Sequence, residues 1–209
     1  MRLRIFFAKT DAMRYTSHLD LHKTWERTIR RTGLPLVYSQ GFNPRPKLQL
    51  ASALPLGFTS DGEVLDAWFA ETDQSTTQIL ESLQRAAPPG LKVHKVTEVD
   101  PTKPSLQTQV RSAEYVITLF DPVPDLEERL ESRLSVSSLP RQRRGKTYDL
   151  RPLIETISLL LPDELGRSRI AMLLSAREAA TGRPEEVLDA LDISAESTRI
   201  HRSQLIFDD

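Results

Sequence analysis

The sequence predicts an α+β protein of two tandem ferredoxin-like halves, each running βαββαβ with an antiparallel sheet. Three observations lead there. Apolar residues recur with period two, then 3.6, then two again, and this order is met twice along the chain. Residues 100–110 (DPTKPSLQTQV), between the two runs, hold two prolines and little apolar content; they read as a connection, with one extended crossing strand as the alternative. The 209 residues, 39% hydrophobic and 27% charged, are enough for a real core. The halves are placed at residues 1–100 and 112–209. They share a structural pattern without sequence identity.

In the first half, residues 2–9 alternate, with Leu3, Ile5 and Phe7 on one side and Arg2, Arg4 and Phe6 on the other, as a strand does. A helix is expected over 18–32. Ser17 is its N-cap, Asp20 takes the place of Glu in a capping box, and Gly33 and Pro35 stop it. At 100° per residue, Leu21, Trp25, Thr28, Ile29 and Thr32 share one face, while Lys23, Arg27, Arg30 and Arg31 share the opposite one. A short apolar run (34–39) leads into a loop marked by Gly41, Asn43, Pro44 and Pro46. Leu48, Leu50 and Ala53 suit a strand, and so does 63–70. A helix over 76–87 turns Ile79, Leu80 and Leu83 inward, and a last strand covers 91–99.

The second half restarts with a strand at 113–120 and a helix at 125–134, whose stripe is Leu126, Leu130 and Leu134. Strands follow at 153–161 and 169–175. The helix at 184–191 carries Pro184 near its first position and acids in its first turn, and a closing strand spans 198–207.

Charge points to function. Residues 14–47 hold seven Lys/Arg against two acids, a local net of +5 in a chain whose total is −1. Such separation makes a local positive field that the overall charge hides. The plain alternative is a solvated helix face. In the loop YSQGFNPRPK, Tyr38 and Phe42 are interleaved with Arg45 and Lys47, the mixture that unpaired RNA asks for: rings to stack on and cations for phosphates. Two readings of it stay open, an RNA contact or a structural loop whose Phe42 plugs the core. A second basic segment, residues 141–151, sets Arg141, Arg143, Arg144, Lys146 and Arg151 against Asp149 alone; it too reads as RNA-binding, with Gly145 at a hairpin tip or in a mobile loop.

His18 and His22 are spaced to reach one metal ion, yet no third ligand is evident and Asp20 lies off their face, so no metal site is assigned. The preferred reading is a helix-entry histidine bonded to a nearby loop; a general base at the mouth of the GFNPRPK loop is the other. There is no cysteine, which excludes disulfides, Cys-zinc sites and a cysteine-ligated iron–sulfur cluster in these residues. No cofactor is expected. The N-terminus MRLRIFFAKT is too charged for a signal peptide and no apolar run approaches a membrane span, so a cytoplasmic protein with no membrane contact is expected.

SHLDL with the basic helix behind it, then GLPLVYSQGFNPRPKLQLASALPLG and an acidic strand, resembles the DUF2344 family. The resemblance continues at RRGKTYDLRPLI and RPEEVLDALDI, and so covers most of the chain. The family is radical-SAM-associated, its members occurring alone or fused behind a B12-binding radical SAM domain. It implies a B12-binding radical SAM protein as partner, with the radical chemistry on that partner. The expected role is therefore a non-catalytic RNA-binding, substrate-presenting accessory module in rRNA or tRNA modification. Its RNA-binding residues would be Lys23, Arg27, Arg30, Arg31, Tyr38, Phe42, Arg45, Lys47, Arg141, Arg143, Arg144 and Lys146. One alternative is a metal-independent endoribonuclease, similar in plan to the CRISPR-RNA endonucleases, using His18 or His22 with Tyr38 and a lysine such as Lys23. The glycine-rich loop near the C-terminus typical of those enzymes is missing. Another alternative is a protein-only adaptor.

Overall fold

Alternation and capping place the elements where period and turn residues put them. The computed structural model describes residues 1–143 and 145–208, with the side chain of Leu134 outside that description. The fold is mixed α/β, with four α-helices and mostly antiparallel sheet among the described residues. The chain divides into two compact units, Met1–Val110 and Arg111–Asp209. No helix among the described residues is long and apolar enough to cross a membrane.

The first unit runs β1 (Arg2–Lys9), α1 (His18–Thr32), β2 (Leu48–Leu50), β3 (Thr59–Trp68), α2 (Thr76–Ala86) and β4 (Leu91–Val99). Its strands lie in the order β2-β3-β1-β4, every neighbouring pair antiparallel. Leu3, Ile5 and Phe7 of β1 join Leu65, Ala67, Val93 and Val96 in a core with Leu21, Trp25 and Ile29 of α1 and Ile79 and Leu83 of α2. Trp25 is fully buried and meets Phe7 edge to face, with ring centroids 4.9 Å apart. Ser17 Oγ accepts the Asp20 N–H at 3.2 Å and donates to its carboxylate at 2.7 Å. Gly33 ends α1 at φ +74, and α2 carries a full Ser75/Gln78 capping box. Gly90 is required by close approach as well as by its positive φ: an added Cβ would stand 2.7 Å from Met13 Cγ.

The opposite face of this sheet departs from expectation. Arg2 and Asp66, on the side without helices, are 2% and 0% exposed. Asp66 accepts Arg2 Nε and Nη2 at 2.9 and 2.7 Å, and Arg4 Nε and Nη2 at 2.9 and 3.1 Å. Residues 100–109, expected as a plain connection, fold back here as a strap. Arg2 donates to the carbonyls of Lys103 (2.8 Å) and Pro104 (3.0 Å), and Arg4 to Gln109 Oε1 (3.2 Å). Gln49 of β2 holds Gln107 and the Leu106 N–H, and Leu106 is fully buried.

The second unit runs β5 (Val110–Leu119), α3 (Leu126–Ser135), β6 (Pro140–Arg143), β7 (Lys146–Asp149), β8 (Ile154–Leu160), β9 (Arg169–Arg177), β10 (Ala180–Thr181), α4 (Pro184–Ala190) and β11 (Thr198–Phe207). Its main strands are ordered β8-β9-β5-β11, and β10 pairs the far end of β9. Leu126, Leu130, Ile117, Ile170, Met172, Leu174, Val187 and Leu188 are buried. The basic segment is a β-hairpin, β6 paired with β7, inserted between α3 and β8.

Two substitutions test this packing. Trp25→Ala should cost about 3–5 kcal/mol, the usual loss for a buried aromatic. Asp66→Ala leaves the buried Arg2 without its carboxylate and should cost a similar amount, about 3–5 kcal/mol. Urea titration checks both; an unchanged midpoint in either would contradict the assignment.

Candidate nucleic-acid interface

The loop after α1 is a braced finger. Both of its limbs are tied to the end of β3: Val37 N–H reaches the Trp68 carbonyl at 2.8 Å, and Trp68 N–H reaches the Lys47 carbonyl at 3.1 Å. The limbs are tied to each other by Lys47 N–H on the Val37 carbonyl and Ser39 N–H on the Arg45 carbonyl, both at 2.8 Å, and by Arg45 N–H on Ser39 Oγ at 3.0 Å. Tyr38 bridges Pro46, which is buried. Proline fixes the backbone on this limb at Pro44 and Pro46. At the root, Arg30 of α1 donates to the Tyr38 hydroxyl at 3.3 Å, its guanidinium 5.9 Å from the ring centre.

Residues 40–44 form the tip, all exposed. Phe42 is 107% exposed, so it plugs no core. Gly41, at φ +137, has no heavy atom within 4 Å of where a Cβ would stand. A bare phenyl ring on a braced stalk has no role in packing this unit.

The cations around it are fewer than the sequence count suggests. Arg30 is paired with Glu26 at 2.6 Å as well as with Tyr38. Arg31 caps the C-terminus of α2 through the Ala86 carbonyl at 2.7 Å. Arg14 donates to the Gly57 carbonyl at 2.7 Å. Lys23 is 65% exposed with Asp20 at 3.7 Å, and Arg27 is exposed with no ion-pair partner among the described residues. Arg45 and Lys47 are exposed on the finger, Lys47 Nζ lying 4.6 Å from the Trp68 ring centre. Arg30 and Arg31 are exposed as well, but Lys23, Arg27, Arg45 and Lys47 are the exposed cations here whose side chains hydrogen-bond no carbonyl or carboxylate among the described residues. Trp68, also 5.1 Å from Arg2, is a site residue that sequence reading passed over. Its one sign was its place at the end of a strand beside the loop.

His18 and His22 are half-buried at the start of α1. No group of three potential metal ligands occurs among the described residues.

The second unit's hairpin spends its best cation internally. Arg143 Nε donates to Glu186 Oε1 at 2.8 Å and its Nη2 bonds Glu186 Oε2 more closely still; both Nη groups also reach the Thr181 carbonyl, at 3.2 and 3.1 Å. Tyr148, under the same guanidinium, donates to Glu186 at 2.5 Å. Arg141 lies 3.7 Å from Asp189. Lys146 is exposed, and Arg144 lies outside the described residues. An open cleft of about 510 Å³ lies beside Arg143, Lys146, Tyr148 and Thr181. Nothing in the sequence links Arg143 to Glu186, 43 residues on.

Partial burial pushes the Glu186 carboxyl up, but the bonds from Arg143 and Tyr148 outweigh it and leave the group below the usual glutamate range. Burial and the bond to Glu186 raise the Tyr148 hydroxyl.

Residues 2–184 match a family described as "Uncharacterized protein conserved in bacteria (DUF2344)". No curated protein matches the chain. Among solved structures, a Cbf5-Nop10-Gar1 complex is similar at a TM-score of 0.50 and 9% identity, covering 99% of this chain and 50% of that one. An archaeal box H/ACA sRNP Nop10-Cbf5 complex follows at a TM-score of 0.48 and 12% identity, covering 99% and 49%. The chain spans about half the length of both, and the first likeness is one of fold.

A depressed carboxyl stabilises above its unfolded pKa and stops doing so as the pH falls through its folded one. The Glu186 contribution should be complete above about pH 4.3, the ordinary glutamate value, and fade below it. Urea midpoints of the wild type and Glu186→Gln should therefore differ near neutrality and converge in acid. A gap that stays constant across that range would refute the link.

Proposed function

The chain belongs to the DUF2344 family, and from that premise we propose that it is an RNA-binding module that presents RNA to a partner enzyme and does no chemistry itself. One observation carries the reading. Phe42 stands bare at the tip of a finger whose returning limb carries the exposed Arg45 and Lys47, and Arg27 is exposed on α1. An exposed ring with exposed cations on the same finger fits a base face and phosphates better than it fits a solvated surface. The RNA is structured, ribosomal or transfer RNA, and the setting is the cytoplasm.

The partner proposed is a B12-binding radical SAM protein. The absence of cysteine supports this, since an iron–sulfur cluster would have to be held by other residues than these 209. Two ferredoxin-like halves, 1–100 and 112–209, remain the architecture proposed. The strand orders β2-β3-β1-β4 and β8-β9-β5-β11, each with two helices, support it, as does a division between units at Val110.

Fluorescence anisotropy with labelled transfer RNA and a ribosomal stem–loop tests the reading. Four phosphate contacts imply a slope in log K against log salt of about −3. Replacing Lys23 and Arg27 together by Ala should flatten that slope by about 1.5 and weaken all RNAs alike. Phe42→Ala should cost about 1–3 kcal/mol and leave the slope unchanged. No affinity at low salt would end the proposal.

A further inference from the structure

Resting on the RNA reading, we propose that the finger recognises the end of a duplex where it opens into a loop, Phe42 stacking on the last base pair, and not an extended single strand. Single-strand binders lay successive bases on successive rings. Here the rings are not available in series. Tyr38 accepts Arg30 Nε on its hydroxyl, with the same guanidinium 5.9 Å from its ring centre. Trp68 lies between the Arg2 and Lys47 cations. Tyr15, the other well-exposed ring of this unit, precedes the N-terminus of α1, about 22 Å of helix away from the finger's root.

The usual platform is also partly covered. A four-stranded sheet of this order binds unpaired bases on its helix-free face. On this protein the strap lies over part of that face, held by Arg2, Arg4 and Gln49, with its own Leu106 buried, and Phe6 of β1 is half-buried with Lys95 Nζ 5.6 Å from its ring centre. One ring is left, and a lone apolar wedge suits a single stacking step at a break in a helix.

The charges fit a rigid ligand. Lys23 and Arg27 stand one turn apart on α1, about 6 Å along its axis. The tip is four residues from Tyr38, a reach of at most about 13 Å. Arg45 and Lys47 line the returning limb. A duplex end offers a stacking face and phosphates at fixed spacing, which a ring and cations held on braced elements can meet without ordering the ligand.

Four RNAs of equal length test this: a stem–loop, the same stem–loop with 2-aminopurine in the loop-closing pair, the same with 2-aminopurine at mid-stem, and an unstructured strand. The stem–loop should bind about tenfold or more tighter than the strand. Quenching of 2-aminopurine should occur at the closing pair only, vanish in Phe42→Ala and return in Phe42→Trp. Phe42 packs against nothing, so the melting temperature of both variants should equal the wild type's, which keeps misfolding out of the comparison. Equal or tighter binding to the strand, or equal quenching at mid-stem, overturns the inference while RNA binding stands. Failure to bind any of the four at low salt overturns both, and leaves Phe42 as a contact for a protein.

Discussion

One carboxylate organises the first unit. Asp66 is wholly removed from water and is compensated by two guanidinium groups placed to meet it with four hydrogen bonds. Burying an ion pair is unfavourable unless its geometry satisfies the charge, and here it does. The consequences spread outward from that point. Arg2, held by Asp66, spends its remaining donors on the strap and lies against Trp68. The Trp68 backbone in turn anchors both limbs of the finger. An interaction on the back of the sheet thus sets the stance of a loop that projects beyond it.

Charge on this protein divides into structural and available. Arg14, Arg30, Arg31 and Arg143 are all engaged with carbonyls or carboxylates of their own unit. What is left uncommitted is a short set of exposed cations, two of them on the limb that returns from the aromatic tip. A census of basic residues overstates the field such a surface can present, because a guanidinium already hydrogen-bonded must give up a partner before it can take a phosphate.

Much of the fold was legible in the chain. Ser17, Asp20 and Gly33 bounded α1, and the face of Leu21, Trp25 and Ile29 was buried as its period required. Alternation assigned each residue of β1 to a side, but period says nothing of depth, and Arg2, on the side away from the helices, is buried. The strap hid behind its prolines and low apolar content, because the groups that hold it lie near residues 2, 4 and 49. At Phe42 the residue type allowed both a plug and a probe, and only the path of the limbs separates them. Arg143 likewise looked like a free cation until its partner on α4 came into view.

The strap has a bearing on how the chain is made. Arg2 bonds a carbonyl 101 residues further along, and β1 sits between β3 and β4, both translated after it. At about 5–20 residues per second, the first strand waits for roughly 5–20 s on the ribosome before its last partner emerges. Throughout that wait RLRIFFAK is an unpaired segment of high β-propensity, the kind that nucleates aggregation. Arg2 and Arg4 flank and interrupt it, and such charges act as gatekeepers. The two arginines that close the finished sheet are therefore also its guardians while it is being synthesised.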